Sequence, residues 1–292
     1  MNRGGSMRRS TRKRGGGIFD ILKSSASNTS SNTTTKPPAL CQCTGSDGKQ
    51  CHQQSIGDTV FCKEHQHCAG SPMSGSEPRF NPQRYNKDPN VYRSHNCYSY
   101  SMNVVDGNLI VKCRETGDCR RYFHQPGAKN GDRNALNAAS RRTCAVVEKL
   151  QKSDIPDIEK TDFTSRCPAG KSKIALVVDP GEDYHYYRQD DDGWWSHKDG
   201  SNKVKRHDAV GKGIWNPEHI VRDYRWNGSD LNYESFCGFY CVPRDHEIHL
   251  GKGGGGVGGA GKSWTDRLHR ELARVQVPKA SRTRKVKGTR RR

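Results

Sequence analysis

A cysteine and two histidines are the residues of this chain whose types and spacing could do covalent chemistry. Cys97 stands where a helix is expected to begin, and His185 and His197 follow 88 and 100 residues later, on either side of an Asp-Asp-Asp-Gly turn. A cysteine attacks as the thiolate, and a helix N-terminus and a nearby imidazole lower its pKa. His185 is the candidate base, and His197 is the candidate residue that orients it. The pattern predicts a catalytic thiol if the three residues meet.

The hairpin that carries both histidines decides whether they meet. An aromatic-rich segment lies on each side of the acidic turn, which is typical of two antiparallel strands. Cross-strand neighbours come within about 5 Å, so contact between His185 and His197 is within reach. A slip of one residue in the register would point His197 away from its partner. Asp183 and Asp199 are the substitutes for the orienting role in that case.

The elements around these residues predict an α+β domain over residues 93–250. A helix is expected to begin near Cys97, and a longer helix is expected over 133–151, where apolar residues recur at helical spacing. Residues 174–178 form an apolar run of buried-strand length, and residues 236–242 predict a further strand. Helices followed by a run of strands are typical of an α+β domain with an antiparallel sheet.

The Asn-Cys-Tyr opening around Cys97, with two histidines 12 positions apart on adjacent strands, resembles the NlpC-type branch of the papain-like cysteine peptidases. The resemblance covers residues 94–245 and implies a papain-like fold with Cys97 as nucleophile, His185 as base and His197 as orienting residue. It implies cleavage of an amide or isopeptide bond in a peptide or amide substrate. The run around the acidic turn also resembles uncharacterised proteins of phages and large DNA viruses. A viral thiol hydrolase is therefore the leading hypothesis.

A segment dense in cysteine and histidine precedes this domain, at residues 37–70. Its candidate ligands are separated by 7, 10 and 2 intervening residues, and the last two form a tight Cys-x-x-His unit. Zinc takes four thiolate or imidazole ligands, and a module of about 30 residues needs such a staple to fold. A structural Zn²⁺ site is therefore predicted, with disulfides as the alternative. The predicted ligands are Cys43, Cys51, Cys62 and His65, with Cys41, His52, His67 and Cys68 as spare candidates.

Positive charge is concentrated at the two ends of the chain. The 292 residues carry a formal net charge of +19. Residues 1–14 hold six Lys and Arg and no acid, and residues 262–292 hold twelve Lys and Arg and two acids. Such ends cannot bury enough apolar surface to fold alone, and they suit a polyanion. Nucleic acid or another polyanion is the expected partner of the ends, with capsid proteins as further partners.

Cysteine usage and targeting signals predict a compartment. The sequence lacks an apolar run of about 18 residues, so no membrane span is expected. The N-terminus also lacks the apolar region of a secretory signal. Twelve cysteines in such a chain favour metal ligands and free thiols over disulfides. A virion, or the cytoplasm or nucleus of an infected cell, is therefore expected, without secretion by a signal peptide.

Composition sets the remaining boundaries. The predicted segments are a disordered basic tail at 1–36, a proline-containing linker at 71–92, a glycine linker at 251–263, and a short helix with a basic tail at 264–292. The run from Gly256 to Ser263 matches a phosphate-binding loop, but a core strand does not precede it, so nucleotide hydrolysis is not expected.

Two hypotheses without catalysis stay open beside the hydrolase. The first is a minor capsid or genome-packing protein of a virion, which keeps a papain-like fold and binds nucleic acid through its basic ends. The concentration of charge at the ends favours this hypothesis. The second is a nucleic-acid regulator that depends on zinc in residues 37–70.

Overall fold

The computed structural model describes residues 35–45 and 47–252, which belong to one compact unit. Within these residues, helices lie against an antiparallel six-stranded sheet, behind a cysteine-rich N-terminal segment. The predicted α+β class is therefore confirmed. Of the predicted basic tails and glycine linker, only residues 35–36 and 251–252 are described. The rest, including the short helix predicted within 264–292, lies outside the described residues.

The helices and strands follow one another along the chain in two groups. The α-helices are α1 (Gln83–Asn86), α2 (Pro89–Ser94), α3 (Cys97–Ser101), α4 (Gly107–Thr116) and α5 (Cys144–Asp154). The strands are β1 (Glu159–Thr161), β2 (Lys171–Asp179), β3 (Asp183–Gln189), β4 (Trp195–Lys198), β5 (Val204–Lys205) and β6 (Ser235–Pro243). The segment predicted as a linker at 71–92 contains α1 and the first part of α2.

The sheet has the strand order β1-β6-β2-β3-β4-β5 and is buried on both faces. In β2, Leu176 and Val178 belong to the core under α3 and α5, whereas Ala175 and Val177 belong to the core on the opposite face. Successive side chains of a strand point to opposite faces, so an unbroken apolar run is expected where both faces are covered. The apolar run at 174–178 is therefore the central part of β2.

The predicted hairpin forms from β3 and β4. The two strands are antiparallel, and Tyr187 lies opposite His197. His185 is two residues from Tyr187 and shares its face of the sheet, so both histidines point to the same side. This register is the one that contact between His185 and His197 requires.

A β-bulge in β6 was not predicted. Leu176 of β2 lies opposite Gly238, and the next residue, Val177, lies opposite Phe236, so Cys237 is the extra residue. Gly238 has a φ of +135°, a conformation that side chains with a Cβ rarely adopt. The bulge sets the direction of Cys237, which forms a disulfide with Cys144 at the start of α5.

The helix predicted at 133–151 is observed as α5 at Cys144–Asp154, so it is shorter and lies further along the chain. Thr143 is the N-cap of α5, and its hydroxyl accepts a hydrogen bond from the Val146 N–H. Arg142, directly before this cap, is buried and holds two loops together. Its guanidinium donates to the carbonyls of Leu136, Asn137, Gly181 and Glu182. If 133–142 were helical, the carbonyls of Leu136 and Asn137 would instead accept from backbone N–H groups four residues further on.

Four disulfides link the described residues. The pairs are Cys43–Cys68, Cys113–Cys119, Cys144–Cys237 and Cys167–Cys241. The free cysteines are Cys41, Cys51, Cys62 and Cys97. The expectation that metal ligands and free thiols dominate was therefore wrong, because eight of the twelve cysteines are paired. Disulfides form and persist in oxidising compartments.

Buried His95, at the junction between α2 and α3, predicts a loss of stability in acid. Its Nε2 accepts a hydrogen bond from the Asp106 N–H at 2.8 Å, so Nε2 carries no proton. Burial lowers the pKa of His95 from 6.5 to about 4. Between these two values the unfolded chain binds a proton that the folded chain does not bind. Stability therefore falls as the pH drops from 6.5 to about 4, by up to about 3 kcal/mol from this residue.

The measurement is the free energy of unfolding by urea across this pH range. His95→Gln is expected to flatten the dependence, since its side chain does not titrate. The matched control is His249→Gln, which replaces an exposed histidine and should keep the wild-type dependence. Equal pH dependence in wild type and His95→Gln would contradict the assignment to His95.

Candidate functional site

Three cysteines and a histidine converge in the N-terminal segment. Cys41, Cys51, Cys62 and His65 each offer one ligand atom, and the four atoms lie within 4.8 Å of one another. An extended piece positions Cys41, whose N–H donates to the Gln53 carbonyl. A short 3-10 turn over Lys63–His65 brings His65 back towards Cys62. The group could hold a metal ion.

The distances within this cysteine-histidine cluster match those of a tetrahedral site. Cys51 Sγ lies 3.9 Å from Cys62 Sγ. His65 Nδ1 lies 3.2 Å from Cys62 Sγ and 3.7 Å from Cys41 Sγ. Zinc–sulfur bonds of about 2.3 Å and zinc–nitrogen bonds of about 2.0–2.1 Å place neighbouring tetrahedral donors about 3.6–3.8 Å apart. These three separations therefore lie within about 0.4 Å of the tetrahedral values.

One of the four predicted ligands was wrong. Cys43 is bonded to Cys68 in a disulfide, and Cys41 takes the predicted place of Cys43 in the cluster. Cys41 and Cys43 are two residues apart in an extended segment, so their side chains point to the same side. The spacing of the sequence therefore could not distinguish them. A sulfur in a disulfide is not a thiolate, so Cys43 is excluded from the ligand set.

The environment of Cys62 favours its thiolate. Burial opposes the charge, but the Glu64 N–H and hydrogen bonds from Cys41, His65 and Cys51 outweigh burial and lower the pKa of Cys62 to about 7. The thiolate is the form of cysteine that binds a metal. Near pH 7, Cys62 is therefore present as the thiolate to a greater extent than an ordinary cysteine.

The cluster is fixed against the main domain through Gln42, which lies between Cys41 and Cys43. Its Nε2 donates to the Gly213 carbonyl at 2.7 Å, and its Oε1 accepts from the Trp215 N–H at 2.7 Å. Side chains alternate in an extended chain, so Gln42 points away from the cysteines on either side. The cysteine-rich segment therefore contacts the domain through one face and holds its cluster on the other.

Cys97 lies at the first position of α3, as predicted. Asn96 caps the helix and accepts a hydrogen bond from the Ser99 N–H. The Cys97 side chain is fully buried, and its Sγ lies 4.0 Å from the Tyr184 carbonyl oxygen. Burial and the nearby Asp183 carboxylate raise the pKa of the Cys97 thiol far above its ordinary value. The helix N-terminus therefore does not produce a thiolate in this structure.

The structure brings His185 and His197 together. His185 Nε2 lies 2.8 Å from His197 Nδ1, and their rings are almost perpendicular. Asp199 Oδ1 lies 2.9 Å from His197 Nδ1 and 3.5 Å from His185 Nε2. Lys205 Nζ lies 2.5 Å from the other oxygen of Asp199. Asp199, a predicted substitute, thus joins the pair, whereas Lys205 was not foreseen.

Cys97 packs on one face of β3, and the two histidine rings lie on the other face. The Cys97 side chain belongs to the core with Tyr184 and Tyr186, whereas the ring of His185 contacts Tyr187 on the other face of β3. Within residues 35–45 and 47–252, no hydrogen bond joins Cys97 Sγ to His185. Burial lowers the pKa of His185 to about 3, so its ring is neutral near pH 7. A thiolate–imidazolium pair is therefore absent from the part of the chain that the structure describes.

A buried lysine that sequence reasoning missed links the two regions. Lys198 directly follows His197, and its Nζ donates to the carbonyls of Tyr92, His95 and Gly200. These bonds tie the end of β4 to the loop before Cys97. Burial lowers the pKa of Lys198 to about 7. The Trp-Ser-His-Lys sequence does not predict this role, because a lysine at the end of a strand is ordinarily exposed.

Fold and cysteines together define a class: an α+β protein braced by disulfides, with a cysteine-histidine cluster that could hold a metal ion. Over 144 residues, the chain is 33% identical to insoluble matrix shell protein 1 of Ruditapes philippinarum. The aligned region covers 49% of this chain and 81% of that protein. The chain belongs to the family of that protein. No family model and no solved structure matches the chain.

The comparison corrects the predicted location. A family that includes a protein of an insoluble shell matrix conflicts with a virion and with the cytoplasm or nucleus of an infected cell. The four disulfides conflict with a reducing compartment as well. The predicted location, including the absence of secretion, was therefore wrong. Among the described helices, none has the length and apolar character that crossing a membrane requires.

Proposed function

We propose that this chain is a secreted structural protein of an insoluble extracellular matrix. The observation that carries the proposal is the use of eight cysteines in four disulfides, which brace both the cysteine-rich segment and the sheet. Such bonds suit a protein that must persist in an oxidising environment. The similarity to a protein of an insoluble shell matrix supports the same role.

Zinc is the proposed ion of the cysteine-histidine cluster. Three thiolates and one imidazole form a Cys₃His set, which structural zinc sites commonly use. The ion would join the extended piece that carries Cys41 to the turn that carries His65. Its role would be structural, because all four tetrahedral positions are taken by protein donors.

The basic ends are proposed to bind an acidic polymer of the matrix. Residues 1–14 and 262–292 together hold eighteen Lys and Arg and two acids. Neutralising a polyanion releases its counterions and requires no particular sequence. Co-sedimentation of the full chain with an acidic polysaccharide should therefore weaken steeply with salt. A chain without residues 1–14 and 262–292 should lose most of this binding, and undiminished binding would contradict the role of the ends.

Fractionation of the tissue that makes this protein tests the matrix proposal itself. The protein is expected in the insoluble extracellular fraction, and treatment with a reductant and a chelator should increase its release. Recovery from the soluble intracellular fraction with free thiols would contradict the proposal. A soluble extracellular protein that needs no reductant for release would contradict the structural role while leaving secretion intact.

A thiol hydrolase with a papain-like fold is the second candidate. Eight cysteines are paired and three join the cluster, so Cys97 is the one cysteine of the twelve without such a role. It opens α3 beside the strand that carries His185. Its burial and the lack of a bond to His185 give the hydrolase less support than the structural role. Cleavage of an amide bond that is lost in Cys97→Ala would favour this candidate.

Labelling by an electrophilic thiol probe separates the two candidates. Cys97 is fully buried and its pKa is raised, so the native chain should react at Cys97 at least about tenfold more slowly than the urea-unfolded chain. Peptide mapping distinguishes this site from Cys41, Cys51 and Cys62. Cys97→Ala is the control for the labelled peptide. Fast labelling of native Cys97 would contradict the expected result and favour the hydrolase.

A further inference from the structure

We propose that His185, His197 and Asp199 form a second metal site, for a divalent first-row transition metal bound by two imidazoles and one carboxylate. This site is separate from the cysteine-histidine cluster and is independent of the matrix role. Its three candidate donor atoms lie within 4.8 Å of one another. Two of the side chains are almost completely buried, so their arrangement is set by the hairpin rather than by solvent.

The donor distances fit coordination to one ion. His185 Nε2 lies 2.8 Å from His197 Nδ1. Asp199 Oδ1 lies 2.9 Å from His197 Nδ1 and 3.5 Å from His185 Nε2. Metal–ligand bonds of about 2.1 Å place adjacent donors about 3 Å apart in an octahedron and about 3.4 Å apart in a tetrahedron. The triangle of donors is therefore closest to one face of an octahedron, since two of its three sides are near 3 Å.

Hydrogen bonding fixes which nitrogen of His197 could bind a metal ion. His197 Nε2 lies 2.8 Å from the His207 carbonyl oxygen, and a carbonyl can only accept, so Nε2 carries a proton. Nδ1 is therefore the nitrogen left for a metal ion, and it lies 2.9 Å from Asp199 Oδ1 and 2.8 Å from His185 Nε2. The three candidate donor atoms thus face one another.

The surroundings hold the donors as metal ligands are usually held. A ligating histidine commonly donates its other N–H to a backbone carbonyl, as His197 does to His207. A ligating carboxylate is commonly hydrogen-bonded as well, and Lys205 occupies the second oxygen of Asp199. These contacts fix the imidazole tautomer and leave Oδ1 directed at the histidines.

Exposure and donor type define the ion and its path. Asp199 keeps 30% of its side chain exposed, whereas His197 has none exposed. An ion can therefore enter beside Asp199. Imidazole suits zinc, copper, iron and nickel, and a site with three protein donors leaves positions open for water or another ligand. Calcium and magnesium are excluded as the preferred ions, because they select oxygen donors.

Counting metal in the full-length protein tests the proposal. The chain is loaded with Zn²⁺, passed through a desalting column in a weak chelator, and analysed for zinc per chain. Wild type is expected to retain two ions, and Asp199→Asn is expected to retain one. Asp230→Asn is the matched control, since it makes the same change at an exposed aspartate outside both groups of donors; it should retain two ions. A count that is equal in wild type and Asp199→Asn would overturn the proposal, and the three residues would then be a hydrogen-bond network only.

A second measurement uses only the wild type, in case Asp199→Asn does not fold. Co²⁺ shifts the proton resonances of the imidazoles that ligate it. The cysteine-histidine cluster supplies one such ring, His65, so three shifted imidazole N–H signals are expected with the second site and one without it. The His197 Nε2 proton should exchange slowly, because it is buried and bonded to a carbonyl. One shifted signal alone would overturn the proposal.

Discussion

His65→Ala is expected to release the metal from the cysteine-histidine cluster and to destabilise the cysteine-rich segment by at least about 3 kcal/mol. Structural zinc contributes about 10–16 kcal/mol in zinc-finger peptides. The effect here should be smaller, because the Cys43–Cys68 disulfide and the Gln42 contacts still hold the segment when the ion is lost. Loss of one of four donors also leaves three thiols that retain part of the affinity.

Hydrogen exchange of the Cys41 N–H, which donates to the Gln53 carbonyl, is the direct measurement. Its protection should fall by at least about a hundredfold in His65→Ala or after chelation, since about 1.4 kcal/mol corresponds to a factor of ten. The matched control is His52→Ala, which removes an exposed histidine of the same segment that lies outside the cluster. Equal protection in the two variants would show that no structural ion is bound there.

The sequence predicted the hairpin well because local chemistry determines it. An Asp-Asp-Asp-Gly turn between aromatic-rich segments leaves few registers, and the observed pairing of Tyr187 with His197 turns both histidines to one face. The start of α3 at Cys97 was predictable for a similar reason, since Asn96 is a strong N-cap. Features that depend on neighbours in the sequence were therefore found without the structure.

The misses depend on contacts between distant residues. Cys41 and Cys43 are two positions apart, so their spacings to the other ligands differ by only two residues. The disulfide with Cys68 is what removes Cys43 from the ligand set. Arg142, inside the predicted helix, instead donates to carbonyls about 40 residues away, at Gly181 and Glu182. Neither contact leaves a local signal in composition or periodicity.

The predicted catalytic triplet shows the same division. Pairing of His185 with His197 follows from the hairpin, whereas the position of Cys97 relative to His185 depends on how α3 lies on β3. Cys97 and His185 are 88 residues apart in the chain, and their order along it does not determine which face of the strand each contacts. The catalytic role of Cys97 stays a prediction, as does the papain-like fold.

Loss of the Cys144–Cys237 disulfide is expected to have the largest effect on stability in the main domain. This bond spans 93 residues and joins the start of α5 to the bulge of β6. The chain-entropy relation predicts about 4.6 kcal/mol of stabilisation for a loop of this length. The matched comparison is the Cys113–Cys119 bond, which spans only 6 residues and should contribute about 2.2 kcal/mol.

The double variants Cys144→Ala/Cys237→Ala and Cys113→Ala/Cys119→Ala test this difference, because each removes two thiols and one bond. Urea unfolding should show a free-energy loss about 2.4 kcal/mol greater for the first variant. Each variant loses two cysteine sulfurs, and the packing cost is the smaller one in the first variant, because Cys144 is only partly buried whereas Cys113 and Cys119 are buried. Equal losses would indicate that chain entropy is not the source of the stabilisation. A larger loss in Cys113→Ala/Cys119→Ala would instead place the weak point of the fold at the end of α4, where that disulfide fixes the turn after the helix.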